Sequence, residues 1–297
     1  MRRVRSGFTI IEVMLFFGIS GILIVALMVG TSSTISRQRY NDSVQDFAEF
    51  LRREYSAVIN PENNRENTNT LGENACPPPP GSSAITSDDG RGRSNCLIYG
   101  RLIVVGEEGS NGDVFAYDVI GRGLTNTEKA SSSATTLTGA LNLASVNAVV
   151  KNTSASATCP YRTNNEVRYT PQWSASIQTT DSTGSNATVS ILIVRSPVNG
   201  TVRTLFYDGA INVQQAVVGE NCGAATPSVV SALLPEKIGS FKATIHEEYG
   251  VNFCVGSEDV FALDGRRRNV RIARNGHNSS AVKIIDKDSE DNQCKDL

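Results

Sequence analysis

Phe8-Thr9-Ile10-Ile11-Glu12-Val13-Met14-Leu15-Phe16-Phe17 opens an apolar run that continues to Gly30, and Met1–Gly7 ahead of it carries Arg2, Arg3 and Arg5. At about 1.5 Å per helical residue the run is long enough to cross a hydrocarbon layer roughly 30 Å thick. Its single charge is Glu12. The arginines predict a cytoplasmic N-terminus by the positive-inside rule, with everything after Gly30 outside. An ordinary secretory signal does not fit, because its apolar region is about 7–15 residues long with a small-residue cleavage site behind it. A plain signal anchor accounts for the length and the arginines but not for Glu12. A carboxylate in the apolar layer costs about 2.5–3.5 kcal/mol at the centre and less near the edge. Glu12 therefore reads as functional.

The helix is expected to outrun the membrane. No proline occurs between Phe8 and Asn60. Tyr40, Val44, Phe47, Leu51, Tyr55 and Val58 recur at three- and four-residue steps, which is one face of an amphipathic helix. Asp42, Asp46, Glu49 and Arg53 fall on other faces. Pro61 makes Asn60 the expected end. Phe8–Asn60 would be roughly 80 Å long. Gly18, Gly21 and Gly30 are its weak points, and they read as small residues that permit close helix packing in a membrane.

Beyond Pro61 the composition changes to Ser, Thr, Asn and Gly with short apolar runs between turn signals. Residues 61–95 read as a loop containing Pro77–Pro80, which favour extended polyproline geometry. Strands are expected over Leu97–Val105, Val114–Ile120, Val167–Ile177, Val189–Val194, Val202–Tyr207, Ile211–Val218, Val251–Val255, Val260–Leu263, Asn269–Ala273 and Ala281–Ile285. Asn199-Gly200 marks a hairpin between two of them. Residues 121–165 read as loop with a short helix near Gly139–Val150. The expected fold class is α+β: a long N-terminal helix, membrane-spanning in its first half, packed on an antiparallel β-sheet head with long loops. The expected organisation is a leader at 1–7, an apolar helical half at 8–30, an amphipathic half at 31–60 and a head at 61–297.

The net charge of −2 favours neither nucleic acid nor anionic membrane as a partner of the whole chain. All six cysteines lie downstream of the apolar run, which points to an oxidising compartment and a disulfide framework. Six cysteines allow fifteen connectivities, and the spacing does not choose among them. Cys76 with Cys96 is one candidate, since it would tie down the proline-rich loop. No catalytic constellation is found: there is no Gly-rich phosphate loop, no Gly-x-Ser-x-Gly and no His-Glu-x-x-His. The cysteines lack Cys-x-x-Cys spacing, so no zinc site is expected. No cofactor is expected and the chain does not read as an enzyme. Asp286-Lys287-Asp288-Ser289-Glu290-Asp291-Asn292 starts like a calcium loop, but Asp291 stands where the loop needs glycine. A solvated acidic tail is the preferred reading of that segment, with calcium the alternative.

Ser6-Gly7-Phe8-Thr9-Ile10-Ile11-Glu12 resembles the cleavage and methylation motif of type IV pilins and type II secretion pseudopilins. The resemblance covers about the first 25 residues and marks the superfamily. It implies cleavage by a prepilin peptidase between Gly7 and Phe8, N-methylation of Phe8, and an assembly role for Glu12 as the fifth mature residue. The cationic amine created at Phe8 would sit unfavourably against the helix N-terminal dipole, and a carboxylate one turn on, from the same or a neighbouring subunit, would neutralise it. Many pilins have a proline in the apolar half; this chain has none. The resemblance also implies one disulfide pinning the C-terminal region, for which Cys254 and Cys294 are the candidates. With Cys76–Cys96 that would leave Cys159 with Cys222.

Gly265-Arg266-Arg267-Arg268, with Arg271 and Arg274, places five arginines in nine residues. Gly-Arg-x-Arg resembles a motif of DNA-uptake minor pilins, and the same segment resembles the last strands of minor pseudopilins. Arginines on a turn neutralise phosphates without reading bases. In strand geometry Arg267, Asn269 and Arg271 share one face and Arg266 and Arg268 the other, which splits the cluster. A solvated hairpin, DNA and another pilus subunit remain open as its role. The expected function is a minor pilin that primes, caps or modifies a filament, with a minor pseudopilin or a tip receptor for DNA or a surface as alternatives. Its expected partners are the prepilin peptidase, other pilin subunits, an inner-membrane assembly platform and the membrane. The expected location is a single-pass membrane protein with its head extracytoplasmic, then a cell-surface or periplasmic filament.

Overall fold

The computed structural model describes residues 9–61, 96–105, 113–149, 167–173, 175–180, 186–209, 238–243, 250–257, 267–286, 289 and 294. Helix α1 (Ile10–Ile59) runs unbroken for 50 residues, about 75 Å at 1.5 Å per residue. It passes through Gly18, Gly21 and Gly30 without interruption. Thr9 is its N-cap and Asn60 its C-cap. No basic residue lies in its last turn. Arg195 from the head fills that role, with Nη2 donating to the carbonyls of Val58 at 3.2 Å and Ile59 at 2.6 Å.

The head is built from β1 (Cys96–Val105), β2 (Val114–Arg122), α2 (Asn126–Lys129), α3 (Leu137–Leu143), β3 (Asn147–Val149), β4 (Val167–Tyr169), β5 (Ala175–Thr180), β6 (Asn186–Ala187), β7 (Val189–Arg195), β8 (Val202–Asp208), β9 (Val251–Ser257), β10 (Arg268–Ile272) and β11 (Val282–Ile285). A six-stranded sheet runs β3-β2-β1-β7-β8, with β4 also on β2, and a five-stranded sheet runs β11-β10-β9-β5-β6. Both are antiparallel. The architecture is thus α+β. The β7–β8 hairpin forms as its Asn-Gly signal predicts, with Gly200 at φ +72° and its N–H donating to Ser196 O at 3.0 Å. The expected strands over 211–218 and 260–263, and the loop over 62–95, lie outside the described residues.

Two expectations are corrected. The expected strand over Val167–Ile177 is two strands in different sheets, β4 on β2 and β5 on β9. Pro171 and Trp173, at φ +58°, break the run. The alternation survives the break because Val167, Tyr169, Ala175 and Ile177 all turn toward the same helix-side core. The expected helix near 139–150 stops at Leu143, and Asn147–Val149 instead extends the six-stranded sheet.

The C-terminal half of α1 lies across both sheets. Val44, Phe47, Leu51, Tyr55 and Val58 are buried with Ile103, Val114 and Ile191 from one sheet and Phe253, Val270 and Ile272 from the other. A second core fills the far face of the six-stranded sheet, where Leu102, Tyr117, Val119 and Leu192 pack with Leu141 of α3. That sheet is therefore buried on both faces, which explains why β2 and β7 read as nearly continuous apolar runs.

Two of the polar links between helix and sheets are made by buried side chains on both partners. The Tyr55 hydroxyl lies 2.6 Å from Thr204 Oγ1, which donates to Gly276 O at 2.6 Å. Thr204 has one proton to give, so Tyr55 is the donor in their shared bond. A Cβ on Gly276 would come within 2.8 Å of the Tyr55 oxygen, so the relay needs glycine there.

The other link is ionic. Glu54 of α1 is 1% exposed, and its Oε2 lies 2.8 Å from Arg101 Nε. Arg101 Nη1 lies 2.5 Å from Asp118 Oδ1. One arginine thus faces two buried carboxylates, with Arg53 only at the periphery, 3.8 Å away. Burial pushes the Glu54 carboxyl above its ordinary 4.5, and Arg101 opposes that shift without cancelling it.

The asymmetry of this triad makes the two ends unequal. Arg101→Met removes the cation that both buried carboxylates face and is expected to cost about 3–5 kcal/mol. Glu54→Gln leaves a one-to-one pair and should cost about 1 kcal/mol or less. Because the folded pKa of Glu54 is raised, the folded state takes up a proton first as pH falls. Relative to Glu54→Gln, the parent chain should therefore gain stability as pH drops from neutral toward 4.5 and level off below it. Denaturant unfolding of the detergent-solubilised chain measures all three; equal losses from the two substitutions would contradict the assignment.

Candidate membrane and assembly site

Ile10–Gly30 of α1 is exposed along nearly its whole length, including Ile11, Met14, Phe16, Phe17, Ile22, Val25 and Met28. None of its most apolar stretch is buried within the molecule, and the helix is long and apolar enough to cross a membrane. Thr31 Oγ1 donates to Leu27 O at 2.9 Å and Thr34 Oγ1 to Gly30 O at 3.1 Å. Both hydroxyls are thereby satisfied without water, so the apolar character extends a turn past Gly30. The next charges after Glu12 are Arg37 and Arg39.

Glu12 has a local partner that the sequence reading missed. The Thr9 N–H and the Thr9 hydroxyl both donate to Glu12 Oε2 at 2.9 Å, and the Glu12 N–H donates to Thr9 Oγ1 at 3.3 Å. This is a capping box. Thr9-Ile10-Ile11-Glu12 spells its signature, Ser/Thr-x-x-Glu before an apolar run. The carboxylate thus satisfies the start of its own helix and lowers the cost of placing both in an apolar medium. Both bonds from Thr9 go to Oε2. Gly7 and Phe8 lie outside the described residues.

Of the described arginines, Arg268 and Arg271 lie on β10, Arg267 just before it and Arg274 past its end, in the turn at 274–275. Arg267 donates to Gln178 of β5, and Arg271 Nε donates to Asn252 Oδ1 at 3.0 Å. Asn269 Nδ2 donates to the same oxygen at 3.1 Å. Arg268 begins β10, and its backbone N–H donates at 2.6 Å to the Tyr40 hydroxyl, which itself donates to Val255 O at 2.9 Å. The phenol is thus inserted at the end of the β9–β10 ladder. Burial pushes its pKa up, and the bond from Arg268 opposes the shift. Arg267 and Arg268 lie at the Tyr40 end of the head, where α1 leaves it, and Arg274 lies toward Tyr55. Arg266 is outside the described residues.

Cys254 and Cys294 form a disulfide across 40 positions. Closing a loop of that length stabilises by about 4 kcal/mol in the chain-entropy model. Cys76, Cys159 and Cys222 lie outside the described residues, as does the Cys96 side chain. Among the described residues no group of three acidic, histidine or cysteine side chains is placed to hold a metal; most of the candidate calcium segment, 287–288 and 290–292, is outside them.

No family model matches the chain, and neither a curated protein nor a solved structure matches it.

Thr9→Val keeps the side-chain volume and deletes the cap. Amide exchange at Glu12 in micelles, followed by NMR, should speed up about fivefold, the equivalent of about 1 kcal/mol. Unchanged exchange would mean that the box does not hold the helix start.

Proposed function

We propose that this chain is a minor subunit of a type IV pilus-like filament, inserted through the apolar half of α1 and carrying its head outside. The observation that carries the reading is the division of one continuous helix. Its first half is exposed and apolar, its second half is buried under the head, and a single carboxylate stands at its start. A soluble protein would not leave so long an apolar surface uncovered. A membrane covers it before assembly, and the same halves of neighbouring subunits cover it in a filament. The pilin-like segment Gly7-Phe8 through Glu12 supports processing by a prepilin peptidase. A head this large suits a specialist that primes, caps or modifies the filament. Arg267 and Arg271 are engaged inside the sheet, which favours a structural role for them over DNA capture.

In this reading the Glu12 carboxylate receives the amine of Phe8 from the same or the next subunit, and an unpaired charge there disfavours the wrong axial register. Glu12→Ala should be cleaved normally when coexpressed with a prepilin peptidase, yet its incorporation into sheared filaments should fall about tenfold or more, the equivalent of ~1.4 kcal/mol of lost pairing. Equal incorporation of variant and parent would overturn the assembly role.

A further inference from the structure

Trp173 is the sole tryptophan of the chain. It is 51% exposed and sits in the left-handed region at φ +58°. The turn that presents it is tied at Gln172 O, which accepts from the Ala175 N–H at 3.0 Å and shares the single Ser43 hydroxyl proton of α1, at 3.1 Å, with Arg39 O. The indole lies over the Arg39 guanidinium, 4.6 Å from it. A large apolar ring is therefore displayed outward beside the helix at the point where α1 leaves the head.

That point lies at the bilayer surface if α1 spans. From Glu12, 20 residues at about 1.5 Å each carry the helix through roughly 30 Å of hydrocarbon to about Ser32. Arg37 then stands about 7 Å above the hydrocarbon edge and Arg39 about 10 Å, both exposed. Arginine stems can bend back by several ångströms to reach lipid phosphates. Arg267 and Arg268 lie at the same end, close enough to Tyr40 for their charges to act on its phenol. Asp42 is the nearest acid on the helix, a turn farther from the membrane than Arg39. Among the described residues this pole carries Arg37, Arg39, Arg267 and Arg268, and a tryptophan beside them has the amphipathic shape that favours the headgroup layer.

We propose that this pole is a phospholipid-binding surface. Trp173 seats in the headgroup layer, Arg37 and Arg39 pair with lipid phosphates, and anionic lipid is preferred. The contact fixes the tilt of the head over the membrane before assembly and is given up when the subunit is extracted. The inference rests on the proposed span of α1.

Because Trp173 is the only indole, its fluorescence in the full-length chain reports on this pole alone. The chain is reconstituted into nanodiscs of phosphatidylcholine with phosphatidylglycerol, containing either a headgroup nitroxide lipid or a lipid brominated deep in its acyl chains. Headgroup nitroxide should quench Trp173 at least about twofold more than deep bromine, as an interfacial indole requires. Omitting phosphatidylglycerol should weaken the quenching, and Arg37→Gln with Arg39→Gln should abolish that lipid dependence. A second chain, Leu23→Trp with Trp173→Phe, tests the span itself and should be quenched by deep bromine. If that chain is quenched while Trp173 is quenched by neither lipid and remains open to acrylamide, the headgroup contact is wrong and the span stands. If the second chain is not quenched either, the span reading fails and the proposal falls with it.

Discussion

Phe47 meets Phe253 edge-on at 5.3 Å between ring centres and Tyr169 at 5.6 Å, and with Val44, Leu51, Tyr55 and Val58 it forms the stripe on which both sheets close. Each such side chain contributes about 1.5–3 kcal/mol by burial. Along the described helix, the two sheets meet a common apolar surface that neither could supply alone. The helix thus acts as the head's central strut, and its orientation is passed directly to the exposed half, since no break separates them.

Apolar contacts alone tolerate sliding, and the buried polar groups restrict it. Glu54, Arg101 and Asp118 align one turn of the helix with adjacent strands of the six-stranded sheet. Tyr55, Thr204 and Gly276 join that sheet to the segment after β10. Tyr40 closes the β9–β10 ladder at the opposite end. Shifting the helix by one residue would leave a charge or a hydroxyl unpaired in each place, at about 1–3 kcal/mol for each hydroxyl and more for the charge.

The helix was legible in the sequence because its signals are local: spacing, absent prolines, a stop at Pro61. The sheet partners were not, since strand alternation tells which face is buried but not which sheet covers it. Val167–Ile177 is the instructive case. Its alternation is real, yet it runs through two sheets that share one core. Two signals were present and unread. Glu54 falls at the three- and four-residue spacing of Phe47, Leu51 and Val58, so a charge on the buried stripe was visible. Arg101 and Asp118 likewise occupy the helix-facing parity of their strands, beside Ile103 and Ala116. Where the structure describes the arginines, Arg267 meets Gln178 of β5 and Arg271 meets Asn252 of β9, partners that strand alternation could not name.

One continuous helix in two surroundings accounts for the exposed apolar half, the buried stripe and the lone carboxylate at its start. In the pilin-like account the start of that helix is made by cutting ahead of Phe8, so that Glu12 acquires an amine to neutralise. Intact mass and N-terminal fragmentation of the chain isolated from cells with an active prepilin peptidase test this directly. The account predicts a chain beginning at N-methylated Phe8. A chain beginning at Met1, or one cut near residue 30 with the apolar half lost, would contradict it.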